Sequence, residues 1–294
     1  AQYAASNLEA AGLETSIVTD ALEVTSQLVE FRPDVILMDV YMPHCSGSEL
    51  AAVIRQQVTE PREERLIAAG IPRLTGIDDE VSRAVRAQYE GNPYPRWQAV
   101  ARLESAPVES VLTGLFPRLA GERRSWPASP RILVAGCGTG HHTVGTAQRF
   151  ANSRVIGVDL SLASLAYAAR KTREAGLQNI DYRQADILEL GGLSERFDII
   201  ESAGVLHHMA DPLAGWRVLR GLLVPGGFMK IGLYSERGRA SIVAARALIA
   251  DLGLGSEFDG GFDLCRALRA ASPVLPIIFL TARDNDIDAV AGLR

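Results

Sequence analysis

The sequence predicts an α/β protein built around a doubly wound, Rossmann-like parallel sheet. An apolar run from Ile132 to Val134 leads directly into three glycines at alternate positions. Segments typical of buried strands then alternate with segments typical of helices as far as residue 234. Acidic residues close two of these strand segments. Because such sheets bind ligands at the carboxyl ends of their strands, the pattern predicts a ligand site at that edge.

Five apolar runs make up the predicted sheet. They cover residues 132–134, 154–160, 180–188, 197–203 and 226–234. The predicted helices between them cover residues 143–150, 162–175 and 212–223. Runs that are apolar throughout are typical of parallel strands buried on both faces, so helices are expected on both sides of the sheet.

The glycine loop is the first candidate binding site. Gly136, Gly138 and Gly140 carry no Cβ, so the backbone can turn sharply and come close to a ligand. The helix that follows would direct its free N–H groups toward that ligand. The spacing is G-x-G-x-G, because His141 interrupts the dinucleotide pattern G-x-G-x-x-G. Such a loop can also be only a tight turn.

Two carboxylates at strand ends favour the ligand interpretation. Asp159 ends the second predicted strand, about 20 residues beyond the glycines, where a carboxylate suits two ribose hydroxyls. Asp186 closes the third strand segment. Both are therefore predicted to lie at the same edge of the sheet as the glycine loop.

Together these residues resemble the class I S-adenosylmethionine-dependent methyltransferases over roughly residues 75–250. The resemblance implies S-adenosylmethionine as cofactor, with the glycines under its methionine part, Asp159 on the ribose and Asp186 facing the adenine amino group. Cys137 is interpreted as a small filler of the loop and not as a nucleophile. The full set of residues that we expect at the cofactor is Gly136, Cys137, Gly138, Gly140, Asp159, Leu160, Asp186, Ile187, Ser202 and Tyr89.

Residues 87–97, AQYEGNPYPRW, resemble the lead-in segment of a bacterial methyltransferase group that is often fused to tetratricopeptide repeats. That group usually has a second acidic residue where this chain has Gly91. The polar and aromatic side chains here either cover the cofactor or form a packed turn around two prolines. They are Tyr89, Asn92, Tyr94 and Trp97.

Methyl transfer needs little acid–base machinery, because the protein chiefly aligns donor and acceptor. His207 and His208 are the candidate catalytic residues, beside the predicted position of the sulfonium. Adjacent residues at a strand end point to opposite sides, so we expect at most one of them to contact substrate. The alternative is a structural or solvent-facing role for both. The expected methyl acceptor is a small molecule or a protein.

Residues 1–57 and 257–294 resemble parts of response-regulator receiver domains, which have a flavodoxin-like fold. Residues 32–43, RPDVILMDVYMP, are predicted to form a buried strand that ends in Asp39, followed by a helix over 48–57. Asp39 would be the phosphoacceptor of a phosphorelay protein, with Thr281 as the family's hydroxyl residue. However, the third receiver helix occurs twice, and the metal-binding acid pair and the lysine are absent. Asp39 is alternatively a strand-end carboxylate without function.

These resemblances divide the chain into four expected segments. They are a partial receiver at 1–57, a helical lead-in at 58–105, a methyltransferase core at 106–252 and a second partial receiver at 257–294. The core lacks the edge hairpin of its family, which leaves a sheet edge open to self-association unless PIIFLTA fills it. A composite chain that binds the cofactor but is inactive is a further alternative.

The composition limits the kinds of partner that are expected. The 294 residues include 35 acidic against 30 basic residues, a net charge of -5, which argues against nucleic acid as a ligand. The three cysteines lie far apart, so neither a metal site nor a disulfide framework is expected. No apolar run reaches about 18 residues, so no membrane association is expected. Since no segment resembles a signal peptide, we expect a cytoplasmic protein.

Overall fold

The structure is a computed structural model, and it describes residues 2–19, 23–38 and 46–233. Its centre is a five-stranded, wholly parallel sheet with the strand order β3-β2-β1-β4-β5. The strands are β1 Arg131–Ala135, β2 Arg154–Asp159, β3 Ile180–Gln184, β4 Phe197–Ala203 and β5 Leu223–Gly232. The predicted parallel α/β sheet is confirmed.

Nine α-helices lie in the described residues. They are α1 Gln2–Ala10, α2 Val24–Phe31, α3 Gly47–Ile54, α4 Glu60–Gly70, α5 Glu80–Gly91, α6 Val108–Leu115, α7 His141–Arg149, α8 Leu162–Glu174 and α9 Pro212–Gly221. Side chains cap several of them at the start: Asp79 caps α5, Ser161 caps α8 and Asp211 caps α9. These caps satisfy backbone N–H groups that have no partner within their helices.

The alternation of side chains along β1 builds a core on each face of the sheet. Ile132 and Val134 pack on one face, with residues of α6, α7 and α8. Leu133 and Ala135 pack on the other, with Leu219 of α9. Every one of these β1 side chains is buried, as the unbroken apolar run predicts for a central strand.

Two strand boundaries differ from the prediction. β3 ends at Gln184 instead of residue 188, because the Asp186 side chain caps a 3₁₀ turn over Ile187–Gly192. β5 begins at Leu223, three residues before the predicted start, and runs through the predicted turn VPGG with an irregular register against β4. Among the described residues β5 pairs only with β4, so it is the edge strand of this part of the chain.

The predicted receiver strand is wrong for the part of it that the structure describes. α2 ends at Phe31 and Arg32 caps it in a left-handed conformation, after which residues 33–38 form no strand. Val35 is 74% exposed and Leu37 is 70% exposed. An apolar run becomes a buried strand only beside partner strands, and the described residues supply none here. Asp39, Thr281 and the whole 257–294 segment lie outside the described residues.

The predicted boundary between residues 57 and 58 falls inside continuous helical structure. α3 runs into a single π turn over Arg55–Thr59, and α4 begins at the next residue. α4 then packs along α8 of the sheet domain. Within the described ranges no helix is both long and apolar enough to cross a membrane.

Candidate cofactor-binding site

The glycine loop after β1 has the backbone geometry that its sequence predicts. Gly136, Gly138 and Gly140 have φ angles of +73°, +52° and +84°, in the region that favours glycine. A Cβ on Gly136 would lie 2.2 Å from Cγ2 of Val205, and one on Gly140 would lie 2.6 Å from Cβ of Ala168. A Cβ on Gly138 would meet no atom within 4 Å. The loop is therefore packed at both ends and open in the middle.

Asp159 holds this loop in place from the end of β2. One carboxylate oxygen accepts a hydrogen bond from the N–H of Gly138 at 2.8 Å, and the other accepts one from the N–H of Ser161 at 3.0 Å. Burial raises the pKa of Asp159, with a smaller contribution from the charge of Glu90, against the effect of these hydrogen bonds. An ionised carboxylate has about four acceptor sites, so Asp159 keeps capacity for a further donor.

Asp186 offers a buried acceptor at the next strand end. One of its oxygens accepts a hydrogen bond from the N–H of Leu188 at 2.9 Å, and the other has no hydrogen-bond partner among the described residues. An unpaired buried acceptor is unfavourable, so a donor from a ligand would stabilise it. The neighbouring Ile187 is buried in the core, and Leu160 accepts a hydrogen bond at its carbonyl from Gln184.

Ser202 and Cys137 complete the set around the loop. Ser202 lies one residue before the end of β4, and its buried hydroxyl has no partner among the described residues. Cys137 is buried between the loop and β2. Burial, together with the charge of Asp159, raises the pKa of the Cys137 thiol well above its usual range. The thiol is therefore protonated at neutral pH, which supports its interpretation as a filler.

The lead-in segment packs directly on the glycine loop. The indole N–H of Trp97 donates to the carbonyl of Thr139 at 2.9 Å, and the Thr139 hydroxyl donates to the carbonyl of Pro95 at 2.6 Å. The hydroxyl of Tyr167 in α8 donates to the carbonyl of Trp97 at 2.6 Å. Tyr89 is partly exposed in the last turn of α5. Trp97 thus belongs to the surroundings of the loop.

An ionic cluster, which the sequence analysis missed, fastens α4 and the lead-in to α8. Its centre is Arg170, only 2% exposed, which contacts Glu60 at 2.9 Å and Glu64 at 3.0 Å. Glu64 also binds Arg96 at 2.7 Å, and Glu174 binds Arg170. Arg170 and Glu60 are 110 positions apart, so sequence spacing carries no sign of the cluster.

The two adjacent histidines do not lie as predicted. His207 and His208 belong to a 3₁₀ turn over Leu206–His208, and their ring centroids are 4.2 Å apart. The expectation that they point to opposite sides is wrong, because that geometry applies to a strand and not to a turn. The turn follows β4, and Leu206 anchors it in the core.

Sequence reasoning also missed a charged group inside β4. Glu201 is buried, and its carboxylate contacts His142 of α7 and Lys230 of β5. A signal was present, since a glutamate interrupts the apolar strand FDIIESA. Such an interruption is expected to have a structural or functional reason, because burying a charge is unfavourable unless it is paired.

The fold and this geometry define an α/β domain with a candidate site at the carboxyl edge of its sheet. Residues 132–227 match the family described as "Methyltransferase domain". This part of the chain is therefore a methyltransferase domain, a family whose cofactor is S-adenosylmethionine.

Individual relatives are matched over only part of their own length. An uncharacterised protein of Synechococcus is 32% identical over 192 residues, which are 60% of this chain and 43% of the relative. The trans-aconitate 2-methyltransferase of Deinococcus radiodurans is 36% identical over 152 residues, 49% of this chain and 52% of the relative. The chain thus spans about half the length of these relatives.

A solved structure, PKMT2 from Rickettsia typhi in complex with AdoHcy, is 23% identical with a TM-score of 0.41. The match covers 56% of this chain and 31% of that chain. A likeness of this degree supports no conclusion about function.

Proposed function

We propose that this chain is an S-adenosylmethionine-dependent methyltransferase that acts on a small-molecule acceptor. The observation that carries the proposal is the arrangement at the carboxyl edge of the sheet. There Asp159 holds the open middle of the glycine loop, and the next strand end presents the unpaired oxygen of Asp186. These residues fit a ligand with a hydroxylated ring, an amino group on a base and a part that passes close to the backbone of the loop.

Each residue has a proposed task at the cofactor. Asp159 would accept hydrogen bonds from the ribose hydroxyls, and Asp186 would accept one from the adenine amino group. Gly138 leaves the room for a close approach of the methionine part. The further contacts that we propose come from Gly136, Cys137, Gly140, Leu160, Ile187, Ser202 and Tyr89.

When bound, the sulfonium of S-adenosylmethionine supplies an already activated methyl group. The chain then has to align the acceptor and exclude water, which accounts for most of the rate that such a site can provide. We propose that one of the two rings, His207 or His208, orients an acceptor or takes up its proton, because their turn follows the end of β4.

The class of acceptor is proposed from the relatives. The name of the Deinococcus relative specifies trans-aconitate, a small carboxylic acid, which supports a small-molecule acceptor for this chain. A protein acceptor is the alternative. It would be favoured if purified chain labels proteins, but no small molecules, with a radioactive methyl group.

Calorimetry with S-adenosylmethionine and S-adenosylhomocysteine tests the proposed function. Asp159→Asn keeps the shape of the side chain and removes its charge. It should weaken S-adenosylhomocysteine binding by about 10- to 100-fold, since hydrogen bonds to a charged group contribute about 1.5–3 kcal/mol. Asp181→Asn, an exposed position on β3, is the matched control and should leave binding unchanged.

Three results would decide between the alternatives. Absence of heat and of a thermal shift with the wild-type chain at millimolar ligand would refute the proposal. Binding followed by no methyl transfer to any acceptor in a cell extract would favour the inactive composite. We further propose that the edge strand β5 supports self-association, which analytical ultracentrifugation over a range of concentrations would detect.

A further inference from the structure

Glu201 stands where an apolar side chain is expected. On the sheet face that packs against α7, one row of paired residues across β1, β4 and β5 is Ile132, Ile199 and Phe228. The next row toward the carboxyl edge is Val134, Glu201 and Lys230. Glu201 is only 5% exposed. A charge at this depth needs partners, and the structure supplies three.

Two of these partners come from the first turns of α7. His142 places its Nε2 atom 3.1 Å from one carboxylate oxygen of Glu201, and the hydroxyl of Thr146 donates to the same oxygen. The third partner is Lys230, whose Nζ atom lies 3.7 Å from the other oxygen and 3.2 Å from Nε2 of His142. We call Glu201, His142 and Lys230 the Glu201 cluster.

Glu201 is ionised in this setting. Burial alone would raise its pKa, but the hydrogen bonds from His142 and Thr146 and the charge of Lys230 bring the pKa below its usual value. One full negative charge therefore faces two nitrogen bases. The contact between those two bases is unfavourable whenever both carry a proton, because both groups are then cationic.

The cluster can also offer positive charge to a ligand. Lys230 is a cation, and its Nζ atom lies 3.7 Å from only one oxygen of Glu201. The free N–H groups at the start of α7 add a partial positive charge, because His142 lies in the first turn of that helix. The Lys230 side chain is 57% exposed, so its remaining donors can reach a ligand.

We propose that the Glu201 cluster binds a carboxylate group of a ligand through Lys230 and His142. This inference rests on the proposed methyltransferase function. The carboxylate has two possible sources, the methionine part of the cofactor and the methyl acceptor. Either carboxylate could accept a charge-assisted hydrogen bond from Lys230.

Three variants test the inference by calorimetry on the full chain. Lys230→Met should weaken the binding of the carboxylate-bearing ligand by about tenfold, since a charge-assisted hydrogen bond is worth about 1.5–3 kcal/mol. Glu201→Gln should tighten that binding, because it removes the negative charge that competes with the ligand for Lys230. Arg217→Met removes an exposed positive charge in α9, paired with Asp211, and should change nothing.

The choice of probes separates the two sources. S-Adenosylhomocysteine carries the amino-acid carboxylate, whereas 5′-methylthioadenosine lacks it. Weaker binding of the first by Lys230→Met, with the second unaffected, assigns the carboxylate to the cofactor. If neither changes, succinate is titrated into chain saturated with S-adenosylhomocysteine. Loss of succinate binding in Lys230→Met then assigns the carboxylate to the acceptor.

The remaining outcomes overturn the inference or its premise. Equal binding of all probes by wild type and Lys230→Met means that the cluster binds no carboxylate. Equal weakening by Lys230→Met and Glu201→Gln means that the cluster is only structural. If Lys230→Met does not fold, Lys230→Ala replaces it, and Lys230→Arg, which keeps the charge, should retain binding. Failure of the wild-type chain to bind S-adenosylhomocysteine instead refutes the proposed function itself.

Discussion

The sheet domain and the described N-terminal residues contain apolar runs of similar length, yet only the run in the sheet domain is buried. The β1 run is covered by helices on both faces and paired with strands on both sides. The run over residues 35–37 pairs with no strand among the residues that the structure describes, and it is largely exposed. The comparison teaches that an apolar run specifies a strand only where the rest of the chain supplies neighbours for its edges and faces.

The largest expected effect tests the attachment between the lead-in and the sheet domain. Arg170→Met should destabilise the chain by about 3–5 kcal/mol, because it leaves Glu60 and Glu64 without their buried cation. Arg55→Met is the control, since that exposed side chain contacts Glu60 only at 3.6 Å and should contribute less than about 1 kcal/mol. Urea denaturation measures both. Equal effects would mean that burial of Arg170 is not what secures α4.

The two apolar runs can be compared directly by replacing one leucine in each with alanine. Leu133→Ala in β1 should destabilise by about 2–5 kcal/mol, since it removes a fully buried side chain. Leu37→Ala should change the stability by no more than about 0.5 kcal/mol, because its side chain is already in water. The midpoint of urea unfolding reports each change. A large effect at Leu37 would contradict its unpaired, exposed position.

Two glycines of similar backbone conformation give a finer comparison. Gly12 has a φ of +82°, and a Cβ added to it would meet no atom within 4 Å, whereas Gly136 has the overlap with Val205 described above. Gly12→Ala should therefore show only the left-handed strain of about 1–2 kcal/mol. Gly136→Ala adds an overpacking term of about 1–3 kcal/mol to that strain. Thermal denaturation of both variants checks the difference, and identical melting temperatures would be incompatible with it.

The smallest expected effect concerns the titration of two carboxylates. The pKa of Asp159 is raised on folding, so its ionised form lowers stability at pH values above its folded pKa. The contribution of Asp159 to the stability of the ligand-free chain should therefore decline as the pH rises from the unfolded carboxyl pKa to the higher folded pKa, and Asp159→Ala should remove this decline.

The pKa of Glu201 is lowered, so its effect on stability changes with pH in the opposite direction to that of Asp159. Its contribution to stability is present above the unfolded carboxyl pKa and is lost as the pH falls through the lower folded pKa. Glu201→Gln should flatten the acid limb of the stability curve. Melting temperatures between about pH 3 and pH 8, which span the ordinary carboxyl range, test both signs.

The sequence predicts the sheet and the loop well because both depend on short-range patterns. The apolar run before Gly136 and the carboxylate of Asp159 fix a strand, a turn and a strand end within about 20 residues, as the nucleotide-binding pattern does. By contrast, the pairing of Arg170 with Glu60 joins residues that are 110 positions apart. The arrangement of His207 and His208 depends on a 3₁₀ turn that the apolar pattern does not indicate.

The receiver-like run over residues 32–43 also shows that a local pattern does not determine long-range contacts. Its local resemblance is close, but a short local resemblance carries no information about the strands that must flank it. The two bases on Glu201 illustrate a further limit, because three separate elements bring them together. Only the unexpected glutamate in β4 is visible in the sequence.

The contacts of Arg170 affect how far the chain can be shortened from its N-terminal side without loss of stability. A fragment that starts at residue 106 or 131 would keep every strand and every glycine of the loop. It would nevertheless leave the Arg170 guanidinium on α8 with Glu174 but without Glu60 and Glu64, which are removed with α4. We therefore expect a fragment that starts before Glu60 to be more stable than one that starts at residue 106 or 131, and gene fusions or truncations that keep Glu60 and Glu64 should retain this stability.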